Sequence, residues 1–184
     1  MTYYSAKDLA AAFRTVRNNT IQIAEEIPED KYSFQPAPGV RTVGQTLVHI
    51  ANTHKFNHQV HGVEKRTAME GFDFPKFIAG VMADEQKPRA KAEIVQLLKD
   101  NGATVEQWLG SLNEDFLGQQ VAMPKGAQPP AKSRFEMLAG MKEHEMHHRG
   151  QLMLVQRMLG MVPPLTRQME ERIAAMRAAS AQTA

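Results

Sequence analysis

The 184-residue chain contains no cysteine. A disulfide framework and a thiolate metal site are both excluded, so any metal ligand must be a histidine, a carboxylate or a backbone group. Aromatic residues are scarce at 7%, whereas Ala, Leu, Met, Glu, Gln and Lys are plentiful, a composition that favours helices over β-branched-rich sheets. A surplus of one charge is also missing. The 22 Lys and Arg against 20 Asp and Glu leave a formal charge of +2, and no run of Lys or Arg forms the basic stripe that phosphate binding requires. Nucleic acid is not an expected partner. Finally, no apolar stretch approaches the roughly 20 residues of a membrane span, and Met-Thr-Tyr-Tyr-Ser-Ala-Lys-Asp lacks the pattern of a secretory signal. The expectation is a cytoplasmic protein without a membrane partner, long enough for one domain with a real core.

Helix starts and stops divide the chain. Ser5 with Asp8 forms a short-armed capping box, and the first helix is expected from there to Ile27, ended by Pro28 and the Gln-Pro-Ala-Pro-Gly stretch at 35–39. Thr42 with Gln45 forms a second box, opening a helix toward Glu64. Residues 66–88, with Phe72, Phe74 and Phe77, read as a crossover with room for a short helix. A third helix over about 89–112 is weakened by Asn101-Gly102. Residues 113–132, rich in Pro and Gly, read as a long loop able to roof a site. No strand is expected. Ser133 with Glu136 opens the fourth helix, from Arg134 to Leu159, and Gly160 with Pro163-Pro164 stops it. The Ala-, Arg- and Glu-rich tail from Thr166 to about Ala179 reads as a peripheral fifth helix.

The histidines carry the only unusual concentration of chemistry. Of the seven, four fall on the second helix and three on the fourth. At helical spacing Leu138, Met141, His144, His148, Leu152, Val155 and Leu159 share one narrow arc, so two imidazoles interrupt an apolar seam. An i, i+4 pair can direct two ring nitrogens at one ion, although lone core histidines usually serve hydrogen bonding alone. On the second helix, periodicity aligns His54, His58 and His61 with Val43, Leu47 and Ile50, and sets His49 apart with Thr46 and Thr53. That trio is itself a possible ligand face, and the spacing leaves the choice open.

His144-Glu145-Met146-His147-His148 also satisfies the H-E-x-x-H pattern in which a glutamate serves as general base beside zinc. The metzincin continuation is absent, because position 151 is Gln, no histidine follows, and no strand is available to align a peptide. A zinc peptidase is therefore the lesser reading. Glu145 and Gln151 remain candidates for orienting a ligand histidine or moving a proton.

Two further stretches resemble the DinB-like family. Its Pro-x-x-Gly-x-x-(Ser/Thr) turn, with a histidine seven residues after the hydroxyl residue, matches Pro36-Ala37-Pro38-Gly39-Val40-Arg41-Thr42 followed by His49. Its second signature, a histidine four residues before His-Arg-Gly-Gln-Leu, matches His144 and His148-Arg149-Gly150-Gln151-Leu152. Arg41 stands where relatives often carry Trp. The resemblance covers roughly residues 5 to 165 and implies an all-α, up-and-down four-helix bundle, with 1–165 as the bundle domain and 166–184 as an extra helical tail. It implies His49, His144 and His148 as ligands of nickel, zinc or iron, in a homodimer. It further implies a metal-dependent enzyme that activates water or a low-molecular-weight thiol, as a hydrolase or thiol S-transferase acting on a small molecule. A non-catalytic, stress-related metal-binding bundle is the alternative within the same resemblance.

Overall fold

Ser5 starts the first helix as its sequence predicts: its hydroxyl accepts the Asp8 amide at 3.2 Å, and the Asp8 carboxylate accepts the Ser5 amide at 2.8 Å. Both halves of the capping box are made. The computed structural model describes residues 4–182. The first three residues of the amino-terminal stretch and the last two of the tail lie outside it.

Helix α1 spans Ala6–Glu26. The Thr42–Gln45 box, with contacts of 3.2 and 2.9 Å, then opens α2 at Val43–Asn52. The expected single helix to Glu64 is instead broken at Thr53. It continues as the short α3, His54–Asn57, and as a wider π-helical turn over His58–Val63. The crossover holds a full helix, α4 at Phe74–Glu85, capped by the Asp73 carboxylate on the Lys76 amide. Next come α5 at Lys91–Gly110 and α6 at Glu114–Gly118. Strands β1 (Gln120–Ala122) and β2 (Ala131–Ser133) pair antiparallel, with Val121 opposite Lys132. Helix α7 runs Arg134–Met158 and α8 Pro164–Gln182.

A small two-stranded sheet exists where none was expected. The 113–132 segment that holds it does not roof the histidines. Gln119 accepts the Arg134 amide and guanidinium through its backbone and side-chain oxygens at 2.9 and 3.0 Å. The segment is thereby fastened to the first turn of α7, away from His144 and His148.

Helices α1, α2, α5 and α7 form the expected four-helix bundle. Contacts refine its connectivity: within the bundle α1 and α2 each pack on α5 and α7 rather than on one another, so the two are diagonal, and α2 also packs on α4. Arg14–Glu106 and Lys99–Glu25 ion pairs set α1 antiparallel to α5. Asn101 reaching the Ala51 carbonyl, with Gly44 beside Ile94, sets α2 parallel to α5. The connections from α1 to α2 and from α2 to α5 are therefore long.

The bundle core lies in two apolar blocks, beside a smaller third cluster of Val60, Met69 and Val121. Ile23, Leu47, Ile50, Ile94, Leu98 and Leu152 fill one, and Leu9, Phe13, Val105, Leu109, Leu138 and Met141 the other. Between them the Arg17 guanidinium binds Glu145 at 2.9 Å through both Nε and Nη2, and donates to the carbonyls of Leu98 and Ile50. Arg17 and Glu145 are 3% and 1% exposed, so this is a desolvated ion pair with its donors satisfied. Gly102 explains the weak middle of α5. A Cβ there would stand 2.8 Å from Arg17 Cγ, so glycine is what lets the arginine cross the bundle while the helix stays continuous.

Helix α8 is peripheral, as expected. It is held to α1 by Arg167–Glu26 at 2.7 Å and Gln168–Gln22 at 3.1 Å. Among the described residues no helix is long and apolar enough to cross a membrane.

Candidate metal centre

Three helices deliver the site. Gly39, at φ 78°, turns the chain into the Thr42 cap, and that cap sets the rotation of α2 so that His49 faces α7. On α7, Ser133 accepts the Glu136 amide at 3.1 Å. The reciprocal half of that box is not made, because the Glu136 carboxylate turns toward Lys132 at 3.4 Å. Four residues apart on this helix, His144 and His148 project toward His49. Helix α4 is docked on α2 through Asp84, which accepts from Asn52 and also binds Lys87 and Arg89 just past the end of α4. The Lys87 ammonium leads these partners in holding the Asp84 carboxyl below the usual carboxylate range. That docking carries the next residue, Glu85, to the back of His49.

The Nε2 atoms of His49 and His148 each lie 3.2 Å from Nε2 of His144. The ligand atoms of all three rings fall within 4.8 Å of one another. Each ring is held from behind at Nδ1: His49 by Glu85 Oε1 at 2.6 Å, His144 by Thr53 Oγ1 at 3.1 Å, and His148 by Gln151 Oε1 at 2.8 Å. A carboxylate and an amide oxygen accept only. The Thr53 hydroxyl donates to the His49 carbonyl at 3.1 Å, which leaves its lone pairs for His144. All three partners therefore call for a proton on Nδ1 and a lone pair on Nε2.

Burial keeps the rings neutral. It is the leading cause that lowers all three, pushing His144 down to about 4, with the charges of His148 and His49 adding to it. Hydrogen bonds to Glu85 and Gln151 only partly offset the effect at His49 and His148. Three lone pairs thus converge with no proton between them, an arrangement that repels itself unless a cation sits at the centre. For a nitrogen-to-ion distance of about 2.1 Å, octahedral and tetrahedral angles put neighbouring nitrogens roughly 3.0 and 3.4 Å apart. The 3.2 Å from His144 to each of its two neighbours lies between the two, and the His49–His148 pair falls within 4.8 Å. The residues fit a divalent ion.

The other histidines do not join them. His54 Nδ1 bonds the Ala51 carbonyl at 2.9 Å, His58 packs edge-on to Trp108, and buried His61 takes the Arg134 guanidinium at 2.9 Å. The rival trio is dispersed because α2 breaks at Thr53 and the π-helical turn changes the rotation per residue. His147 contacts the Gln151 amide nitrogen at 3.2 Å, which points that amide's oxygen at His148. Gln151 therefore stands where it can orient a ligand. Glu145 does not. Both its oxygens are committed to Arg17, so the general-base role suggested by the H-E-x-x-H pattern is corrected to a structural one. Sequence reasoning missed Glu85, which no spacing signals, and passed over Thr53, which shares the His49 face.

A cleft of about 750 Å³ opens beside His148. The turn before α2 supplies Gln35 and Arg41, α4 supplies Met82 and Glu85, and α7 supplies Gln151, Leu154 and Met158.

Solved structures share this fold at low identity. A DinB-like protein from Bacillus cereus ATCC 10987 superposes with a TM-score of 0.65 at 17% identity, covering 89% of this chain and 98% of its own. YfiT from Bacillus subtilis, described as a probable metal-dependent hydrolase with an unusual four-helix bundle topology, gives 0.66 at 15%, with 88% and 91% covered. The colibactin self-resistance protein ClbS, crystallised in complex with a dsDNA, gives 0.63 at 15%, with 85% and 98% covered. No curated protein sequence matches the chain. The model of one family does match, over residues 12–152, a span that includes the α2 turn and all three converging histidines. On that match the chain belongs to the DinB superfamily.

Proposed function

We propose that this protein is a metal-dependent enzyme in which His49, His144 and His148 hold one divalent ion, of the nickel, zinc or iron class, to activate water or a low-molecular-weight thiol. The observation that carries the reading is the convergence of three Nε2 lone pairs, those of His49 and His148 each 3.2 Å from that of His144 and all within 4.8 Å of one another, each ring fixed from behind by its own acceptor. An ion bound there supplies a Lewis acid that lowers the pKa of a small nucleophile.

The chain's own residues do the rest. Glu85 and Thr53 hold the tautomers of His49 and His144, and Gln151 that of His148. No fourth His, Cys, Asp or Glu joins the cluster among the described residues, which leaves room for an external ligand. The neighbouring cleft gives a small molecule access. These two features favour chemistry over a purely structural ion, which would be enclosed by protein ligands. With no cysteine in the sequence, any thiol must come from outside. Both a hydrolase and a thiol S-transferase use such a site.

A homodimer in the cytoplasm belongs to the same reading. The exposed Met169, Ile173 and Met176 on α8 support a self-associating face. So does a view of 166–184 as an appendage to the bundle. Duplex DNA is disfavoured by charge rather than by fold, because ClbS shows that the fold admits it.

The test is metal content by elemental mass spectrometry on untagged protein, with hydrolysis of activated esters and thiol conjugation of electrophiles assayed in parallel. Near-stoichiometric metal is expected in the wild type and in His54→Ala and His58→Ala, and its loss in His49→Ala, His144→Ala and His148→Ala. Wild-type protein that stays metal-free after incubation with nickel, zinc and ferrous ions would overturn the proposal.

A further inference from the structure

Arg41 forms part of the cleft wall between the candidate metal centre and solvent. Its Nε donates to Glu85 Oε2 at 2.7 Å, and the other Glu85 oxygen is taken by His49. That leaves the two terminal guanidinium nitrogens without a hydrogen-bond partner among the described residues, on a side chain that is 35% exposed. Among the described residues Arg41 is the sole cationic side chain lining the cleft, and Glu85, with both oxygens engaged, is the sole acidic one. Glu85 thus bridges the Arg41 guanidinium to the ring of His49.

The opposite character lines the rest of the cleft. Val40, Met82, Leu154 and Met158 are 44 to 61% exposed around one concavity. Isolated exposed apolar side chains need no explanation, but four around one pocket beside a free guanidinium edge form a surface that is apolar on one side and cationic on the other. The charge balance points the same way. With a divalent ion in place, the ion, Arg41 and Glu85 sum to +2, a surplus that only anionic ligands offset.

We infer that this cleft binds a small amphipathic oxyanion, with its carboxylate or phosphate on the outer edge of Arg41 and its apolar body along Met82, Leu154 and Met158. Arg41 is then the residue that selects substrates or thiol cofactors by charge. Its planar fork suits two-point contact with either oxyanion, which a lysine cannot reproduce. The inference deepens the proposed function and rests on it for what lies at the far end of the cleft. The anion preference itself belongs to Arg41.

Isothermal titration with octanoate, octyl phosphate and neutral octanamide tests it, on protein as purified and after chelation, with metal content measured on the same samples. At least one anion is expected to bind about 10-fold or more tighter than octanamide, as a charged hydrogen bond implies. Arg41→Gln should abolish that preference, Arg41→Lys should keep only part of it, and Arg14→Gln on the far face should change nothing. The two anions separate carboxylate from phosphate chemistry. Arg41→Lys keeps a cation for Glu85, so it covers the case in which Arg41→Gln folds poorly. Equal affinity for all three ligands, no binding of either anion, or a preference that survives Arg41→Gln would overturn the inference. An Arg41-dependent preference in protein that never takes up metal would sink the proposed function and leave this inference standing. Metal uptake with no anion preference would do the reverse.

Discussion

Glu85 and His49 meet at 2.6 Å although 36 residues separate them in the chain, and the carboxylate is only 2% exposed. The contact fixes the proton on Nδ1 and aims Nε2 at His144. It also makes His49 the ring most dependent on a neighbour outside the four bundle helices. Glu85→Ala should weaken metal binding about 10- to 100-fold, the usual cost of losing such a partner. Glu85→Gln, which keeps an acceptor oxygen, should lose less. Competition against a chromogenic chelator reads both. Unchanged affinity in Glu85→Ala would show that His49 needs no such support.

Glu145 lies between His144 and His148 in sequence but faces Arg17 in space. Removing one partner of a buried pair strands the other, so Glu145→Ala is expected to cost about 3 to 5 kcal/mol in urea unfolding. Replacing both residues with methionine should restore most of that loss, and the double variant should keep its metal. A Glu145→Ala protein of full stability that had lost only activity would restore the peptidase-like role instead.

Two glycines make a controlled comparison. Gly140 sits inside α7 with open space where a Cβ would stand, nothing lying within 4 Å, whereas at Gly102 a Cβ would meet Arg17 Cγ at 2.8 Å. Gly140→Ala should stabilise the protein by roughly 0.5 to 1 kcal/mol, the helix-propensity gain. Gly102→Ala has the same propensity gain, yet should destabilise by about 1 to 3 kcal/mol because the ion pair must shift. Thermal melts of the two variants should move in opposite directions.

What the sequence made legible followed from local rules. The Ser5 and Thr42 caps fixed two helix starts and the phase of His49, and the apolar seam on α7 marked His144 and His148. What it hid depended on tertiary docking. Glu85 reaches the site because its neighbour Asp84 binds Asn52 of α2, a tertiary contact that no periodicity encodes. Choosing His49 over the His54, His58 and His61 face took a family resemblance. The break at Thr53 and the π-helical turn scatter that face; no Gly or Pro adjoins Thr53, whereas the turn includes Gly62, where a Cβ would stand 3.0 Å from the His58 ring. The Asn101-Gly102 pair shows the reverse case, since a local helix-weakening signal was overridden by its fit to Arg17.

His61 gives the acid response a residue outside the metal cluster. It is fully buried, and its Nδ1 accepts from Arg134 Nη1 at 2.9 Å, so the ring must be neutral with its proton on Nε2. Burial first, then the Arg134 charge, pushes its pKa down to about 4. In the unfolded chain the same ring titrates near 6.5. Below that value the unfolded state therefore binds the proton that the folded state refuses, and stability falls as pH drops from about 6.5 toward 4. His54, lowered to about 4 mainly by burial, adds to the same slope. Urea unfolding of metal-free protein should show the midpoint declining across this window. His61→Gln, which keeps an acceptor for Arg134 and cannot take the proton, should flatten the decline. An identical slope in the variant would place the acid sensitivity in other groups.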